Sequence, residues 1–387
     1  MEIKINYLQL TTYDYIMQYK RMPIEVESPE EMGYATIEYN LAESSVRDIY
    51  FRDLKLNLDD LFICYGEHRG KAELRNEIVR EEIGLDADNV LVCPSAATAL
   101  FIISTTLLKN NNHLIVLRPN YATNIETPRA INCEISFIDL AFENGFQFNI
   151  EEIKNAVKPN TKLISLTSPH NPTGVVFDNK IIEEIIDFAK ERNIYVLVDE
   201  TYRYLNFQSE LIPYYAAKSK NVISVCSLSK AHGVPGIRTG WLINKDEKLM
   251  HDFLAAKEQI IICNSVVDEE IAHHILKQKE FLQATHQHIQ QNFAVLKNWM
   301  ENEQKYLEWT APNAGVVCFP RIKNEYKVDI ARFYKILYEQ HKTLVGAGHW
   351  FEQSDRYFRL GFGYPSIDEL RQGLKNIDAS IEASIII

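Results

Sequence analysis

Five short runs rich in β-branched residues and leucine recur along residues 89–229, and nothing else in the chain constrains the fold as strongly. They are NVLVC (89–93), HLIVLRP (113–119), KLISLTSP (162–169), IYVLVDE (194–200) and VISVCSLS (222–229). Their apolar residues are nearly continuous where a half-solvated strand would alternate, which suits parallel strands covered on both faces. Helical patterns follow several of them, at about 96–108, in NYATNIETPRAIN and at 178–193. Strand and helix in alternation predict an α/β fold, with the ligand at the carboxyl ends of the strands.

The texture changes after about residue 245. Residues 265–304 read as a long amphipathic helix, followed by short strands (AGVVCFP, YFRLGFG) and helices near 329–341 and 366–383. The expected architecture is therefore a large domain (43–264) with a mostly parallel central sheet covered by helices on both faces. A smaller α+β domain joins residues 1–42 to 265–387. The uncharged stretch 90–108 is long enough to span a bilayer. Pro94 and its hydroxyls divide it, so a buried strand at 90–93, a turn and a core helix explain it better.

A formal net charge of −12 argues against nucleic-acid or membrane-surface partners, though not against an anionic ligand in a local basic pocket. The six cysteines are scattered without a C-x-x-C pair, which points to a reduced, cytoplasmic protein. The N-terminal MEIKINYLQLTTYDY is charged and polar and does not fit a secretory signal.

Polar clusters fall at the strand ends: PSAATA (94–99), SPHNPTG (168–174), VDETY (198–202) and SLSKAHGVPGIRTG (227–240). The free N–H groups at the start of a helix, from Ser95, Ala96 and Ala97, suit a phosphate. Ser227 and Ser229 alternate by two on a strand, so both hydroxyls should point the same way. Arg238 can fork onto two oxygens. Gly233, Gly236 and Gly240 would let the backbone turn sharply and approach a ligand closely. Lys230 beside such a phosphate cup suits a Schiff base to a phosphorylated aldehyde. Pyridoxal phosphate needs such a lysine, an acid for its ring nitrogen and hydrogen bonds to its phenolic oxygen. Asp199 ends a strongly apolar strand, where a carboxylate is costly unless paired. Asn171 and Tyr202 would address the phenolic oxygen.

N-P-x-G at 171–174, D-x-x-Y at 199–202 and S-x-S-K-x-x-G-x-x-G-x-R-x-G at 227–240, in this order, resemble the class I/II aminotransferase family. These are pyridoxal-phosphate enzymes of the aspartate-aminotransferase fold (fold type I). The resemblance implies catalysis by Lys230, Asp199 and Tyr202, and transfer of an amino group between an amino acid and a 2-oxo acid. Through YGEHRGKAELR (65–75) it implies a homodimer in which Tyr65 reaches the cofactor phosphate of the neighbouring subunit. Through RPNYATN (118–124) it nominates Tyr121 to stack on the cofactor ring. Through FRLGFG (358–363) it assigns Arg359 to the substrate α-carboxylate. NAGVVCFP (313–320) and VGAGHWF (345–351) resemble small-domain segments of the family.

Departures narrow the expectation. Ser95 stands where the family often has glycine, Ala347 where it has proline, and NLAESSV (40–46) lacks a glycine often found near the substrate carboxylate. Arg47 and Arg69 are unsupported as a second, dicarboxylate-recognising arginine, so aspartate is not the default substrate. The alternative function is a pyridoxal-phosphate lyase or cyclase acting on an amino acid with a β- or γ-leaving group. The NLAESSVRD segment resembles the capreomycidine-synthase-like branch, with Glu43 then meeting a cationic side chain. A non-catalytic regulator is disfavoured by the acidic charge and by the lack of a DNA-binding extension.

No metal is expected. GEHRGKA (66–72) fails as a P-loop, and GFG lacks the third glycine of a dinucleotide fingerprint. The HH (273–274) and HQH (286–288) pairs should point to different helix faces, as solvated histidines. His232, two residues past the lysine, is expected at the cofactor's edge, with substrate and partner subunit as open alternatives.

Overall fold

The structure, a computed structural model, describes residues 17–207 and 211–386. The N-terminal stretch weighed above as a signal lies outside the described residues. Seven strands form the central sheet: β1 (Val90–Cys93), β2 (His113–Arg118), β3 (Glu134–Asp139), β4 (Thr161–Thr167), β5 (Tyr195–Asp199), β6 (Val222–Ser227) and β7 (Gly240–Ile243). Their order is β1-β7-β6-β5-β4-β2-β3. β7 is antiparallel to both of its neighbours, and every other pairing in the sheet is parallel. The carboxyl ends of the other six strands therefore share one edge.

Continuous apolar strands follow from burial on two faces. Leu114, Val116, Leu197 and Val225 enter one core, with Leu100 and Ile103 of helix α1 (Ala96–Leu107) and with Phe253. The intervening Ile115, Leu117, Val196 and Val198 enter another, with Ile182, Ile185 and Ile186 of helix α3 (Asn179–Glu191). A second strand-linking helix, α2, runs Thr123–Ala130. In α3 the buried isoleucines form one stripe, and Asp178 caps the helix by accepting from the Lys180 N–H.

β3 and β7 were not foreseen. β3 is an edge strand paired only with β2, and its partly exposed residues mix polar with apolar. β7 lies inside the glycine-rich motif. The long helix expected over 265–304 is divided. After α4 (Glu247–Ile260) come α5 (Val266–Leu276) and α6 (Lys279–Asn298), and α6 runs into a π-helical turn at Trp299–Glu303. The last turn of α5 tightens, with Gln278 N donating to Ile275 O at 2.9 Å. Gln278 then leaves helical geometry at φ −98°, ψ 88°.

Strand β8 (Phe358–Gly361) lies outside the seven-stranded sheet. It follows helix α7 (Ile330–Glu339), precedes helix α8 (Ile367–Ala383), and pairs with Val317–Cys318 and Gly346–Ala347. Tyr39–Asn40 pairs in parallel with Thr343–Leu344, tying an early segment to a late one. Gly361 N donates to Leu41 O at 2.8 Å, and a Cβ on Gly361 would overlap the Glu43 carbonyl oxygen. The 41–43 backbone thus lies directly on the strand that carries Arg359.

Gly361→Ala should cost about 1–3 kcal/mol of stability, the usual range for overpacking against backbone. Gly236→Ala, where a Cβ meets nothing within 4 Å, should leave the thermal midpoint unchanged. Thermal unfolding of both variants checks the pair, and equal midpoints would contradict the packing described.

Candidate active site

A cavity of about 550 Å³ opens at the shared carboxyl edge of the sheet, and almost every residue nominated from the sequence lines it. Ser95, Ala96, Ala97, Tyr121, Asn171, Asp199, Tyr202, Ser227, Ser229, Lys230, Arg238 and Arg359 all do so. Tyr65 does not; it is 83% exposed on the surface.

One end of the cavity gathers groups suited to an oxyanion. Ser95 caps α1, its hydroxyl accepting from the Thr98 N–H at 3.0 Å. That leaves the Ala96 and Ala97 N–H groups with no acceptor inside the helix. Gly240 allows this arrangement, because a Cβ there would press on Ala96 N and Ser95 C. Ser227 ends β6, and Arg238 joins it at φ +41° with Nη1 donating to Pro235 O at 2.8 Å.

Two expectations about this stretch are corrected. Ser229 lies in the turn after β6, so its hydroxyl reaches the cavity through the turn and not through strand alternation. The glycines divide: Gly233 turns the backbone at φ +63° as expected, Gly236 has open space and no left-handed φ, and Gly240 brings strand and helix backbones together instead of a ligand.

Asp199 closes β5 at 4% exposure. Its Oδ1 accepts from the Thr201 hydroxyl at 2.6 Å and its Oδ2 from Asn124 Nδ2 at 3.4 Å. Burial raises its pKa, and the Thr201 and Asn124 hydrogen bonds oppose the rise. Lys230 Nζ donates to Ser44 Oγ at 3.0 Å. Burial lowers the pKa of this ammonium, with the Glu43 charge opposing. Arg359 is 4% exposed, and burial lowers its pKa as well. Its Nη1 donates to Asn171 Oδ1 at 3.2 Å and its Nη2 to Ala42 O at 2.7 Å, while the buried Nε has no partner. The Tyr202 hydroxyl donates to Ser44 O at 2.7 Å, and burial pushes its pKa up to about 12.

The sequence reading missed Ser44, Asn124 and Thr201. Asn124 and Thr201 stood inside quoted motifs, as neighbours of Tyr121 and Asp199. Ser44 meets Lys230 across 186 residues of chain, and its only signal was the departure of the 40–46 segment.

His232 does not stand at the edge of this cavity. It lines a separate one with Tyr204, against whose ring it packs edge-on at 5.2 Å. Burial pushes its pKa down to about 3, so it is neutral. Three of the four paired histidines, all partly exposed, are tied to the backbone and not merely solvated. His274, His286 and His288 bond through Nε2 to the carbonyls of Leu54, Tyr204 and Gly363. Arg47 pairs with Glu369, and Arg69 with Asp88 at 3.2 Å; neither arginine lines the cavity.

The donor set fits pyridoxal phosphate: an anion-binding end, an amine with lowered basicity, and a buried carboxylate that hydrogen-bond donors surround but no cation touches. This site at the carboxyl edge of a mostly parallel sheet defines the class of fold type I pyridoxal-phosphate enzymes. The family model for aminotransferase class I and II matches residues 53–377, and the chain belongs to that family as a pyridoxal-phosphate-dependent aminotransferase.

An aspartate aminotransferase from Thermotoga maritima is 26% identical over 82% of this chain and 83% of its own. Capreomycidine synthase from Streptomyces vinaceus is 23% identical over 90% and 91%. The crystal structure of a PLP-dependent aminotransferase from Streptococcus suis superposes with a TM-score of 0.85 at 26% identity, covering 95% of this chain and 99% of that one.

Glu200, beside Asp199, is fully buried; its Oε1 accepts from Tyr215 N at 2.9 Å and its Oε2 has no partner. Burial pushes its pKa up to about 8 from 4.5. A carboxyl protonated in the folded state stabilises fully below pH 4.5, and that stabilisation is lost as pH rises through about 8. Glu200→Gln should flatten the pH dependence of the denaturation midpoint over this window. An unchanged slope would contradict the assignment.

Proposed function

We propose that this aminotransferase works through Lys230 as its covalent and proton-transferring base, with Arg359 holding the substrate α-carboxylate. The observation that carries the reading is the sharing of one cavity by the Lys230 amine, the buried Asp199 carboxylate and the spare Arg359 donor. Bound pyridoxal phosphate supplies an electrophilic carbon for the substrate amine and an electron sink for the Cα carbanion.

The chain's own residues supply the rest. Ser227, Ser229, Arg238 and the N–H groups of Ala96 and Ala97 would hold the phosphate, with Ser95 keeping the helix start in place. Asp199 would keep the ring nitrogen protonated. Asn171 and Tyr202 would address the phenolic oxygen, and Tyr121 would lie against the ring. Asn171 also accepts from Arg359 Nη1, so the guanidinium is already oriented for a carboxylate. Lys230, less basic than a solvated lysine, takes the proton from substrate Cα and returns it. Ser44 holds its Nζ along the way.

The wider reading is a cytoplasmic homodimer, with a large unit over 43–264 and a small one from 1–42 and 265–387. Six free cysteines support the compartment. Phe62, Ile63 and Tyr65, at 80%, 70% and 83% exposed, support a partner surface there. Tyr65 would reach the phosphate of the neighbouring site. Sedimentation at the mass of two chains checks the assembly.

The relative named capreomycidine synthase, matched over 90% of this chain, keeps a cyclase as the second reading. Adding amino acids to the holoenzyme and following the cofactor absorbance separates the two, since only transamination leaves the amino form of the cofactor. Lys230→Ala should lose turnover by roughly four orders of magnitude or more, together with the absorbance of the lysine-bound cofactor. Turnover retained near wild type would refute the assignment.

A further inference from the structure

The cavity is rich in acid. Five carboxylates line it, from Glu25, Glu30, Glu43, Asp48 and Asp199, against the cations Lys230, Arg238 and Arg359. Asp199 has its own donors. The carboxylates of Glu25, Glu30, Glu43 and Asp48 have no hydrogen bond or ion pair with any described residue, although their cavity holds three cations. Elsewhere arginines find acids readily, as with Arg47 and Glu369, Arg203 and Glu82, or Arg118 and Asp139. A bound phosphate adds further negative charge at the far end.

Glu43 is the best placed of the four, because its backbone is fixed on several sides. Its N–H donates to Asn40 Oδ1 at 3.3 Å, and its carbonyl lies against Gly361 on the strand of Arg359. The residues beside it bond to Arg359 (Ala42 O), Tyr202 (Ser44 O) and Lys230 (Ser44 Oγ, and Val46 N to Lys230 O at 3.0 Å). A side chain set on such a frame faces the reaction centre without any reorganisation. Across the cavity, the Pro23–Val26 and Pro29–Met32 turns bring Glu25, Glu30 and Ser28 to the wall. Ser28 is 6% exposed with an unpartnered hydroxyl, and the buried Arg359 Nε is likewise unpartnered. Two unsatisfied buried polar groups and four unpaired acids thus face one space.

Burial raises the pKa of Glu25, Glu43 and Asp48, with Lys230 acting against the rise on each. Half-exposed Tyr34 lines the same cavity as these acids. An aromatic ring in an acid-lined cavity adds to its attraction for a cation. A second carboxylate on the substrate would meet repulsion there, and a neutral side chain would leave the acids uncompensated.

We propose that this site selects amino acids whose side chain ends in a guanidinium or ammonium cation, with Arg359 on the α-carboxylate and Glu43, assisted by Glu25, on the distal cation. Glu30 and Asp48 form the outer, more exposed part of the same wall. This rests on the aminotransferase reading, and the experiment keeps the two apart.

The holoenzyme is given arginine, ornithine, citrulline, norleucine and glutamate, with kcat/KM measured for each. Arginine or ornithine should exceed citrulline and norleucine. Glu43→Gln should lower the arginine-to-citrulline ratio of kcat/KM by about tenfold, mainly through KM, with Glu43→Asp restoring part of it. Equilibrium titration of 5-guanidinopentanoate, which cannot react, should show tighter binding than hexanoate to wild type and lose that margin in Glu43→Gln. Neutral or acidic amino acids preferred by wild type, or an unmoved ratio in the variant, would overturn the proposal while leaving the aminotransferase reading intact. A cofactor absorbance that responds to no amino acid would instead overturn that reading.

Discussion

Asp199 is a carboxylate at the end of a strand whose other residues lie in the hydrophobic core, and the geometry around it follows from the cost of placing it there. Burying an ionised carboxylate without a partner costs several kcal/mol or more. Here Thr201 and Asn124 supply donors but no cation touches the group. Thr201 follows Asp199 directly, and Asn124 arrives on α2 from the neighbouring part of the sheet. In the proposed reading, the cationic ring of pyridoxal phosphate would complete the pairing. The proposed phosphate-binding groups and Lys230 line the same cavity. Parallel strands make this possible, since six carboxyl ends open on one edge.

The second constraint is the stitching of residues 41–46 between the sheet and β8. Ala42, Ser44 and Val46 bond to Arg359, Tyr202 and Lys230, residues otherwise distant in the chain. Gly361 lets the two backbones touch. Arg359 and Lys230 therefore share one short frame, and Glu43 projects from its middle.

Much of this was legible in the residues. Continuous apolar strands meant burial on both faces, and the structure divides their alternate residues between two cores. Motifs at the strand ends gave Lys230, Asp199, Asn171, Tyr202 and Arg238, because glycines, proline and polar residues punctuate strand termini visibly. Arg359 and Tyr121 came from the family resemblance and also line the cavity. Edge strand β3 escaped because a half-exposed strand lacks the continuous apolar signature. Ser44 and Asn124 escaped because tertiary contacts over long separations leave no local pattern. His232 shows the reverse error. Two residues from Lys230 in sequence, it points into another cavity, since successive residues in a tight turn face different ways. That Glu25, Glu30, Glu43 and Asp48 have no partner among the described residues could be seen only from the tertiary structure.

The central claim is that one cavity holds pyridoxal phosphate through a covalent bond to Lys230, and borohydride reduction tests it most directly. Reducing the purified holoenzyme, digesting it and sequencing the peptides by mass spectrometry should find the pyridoxyl mass on Lys230 alone among the lysines. A pyridoxyl label on a different lysine, or none on a protein that retains the cofactor's absorbance, would contradict the account.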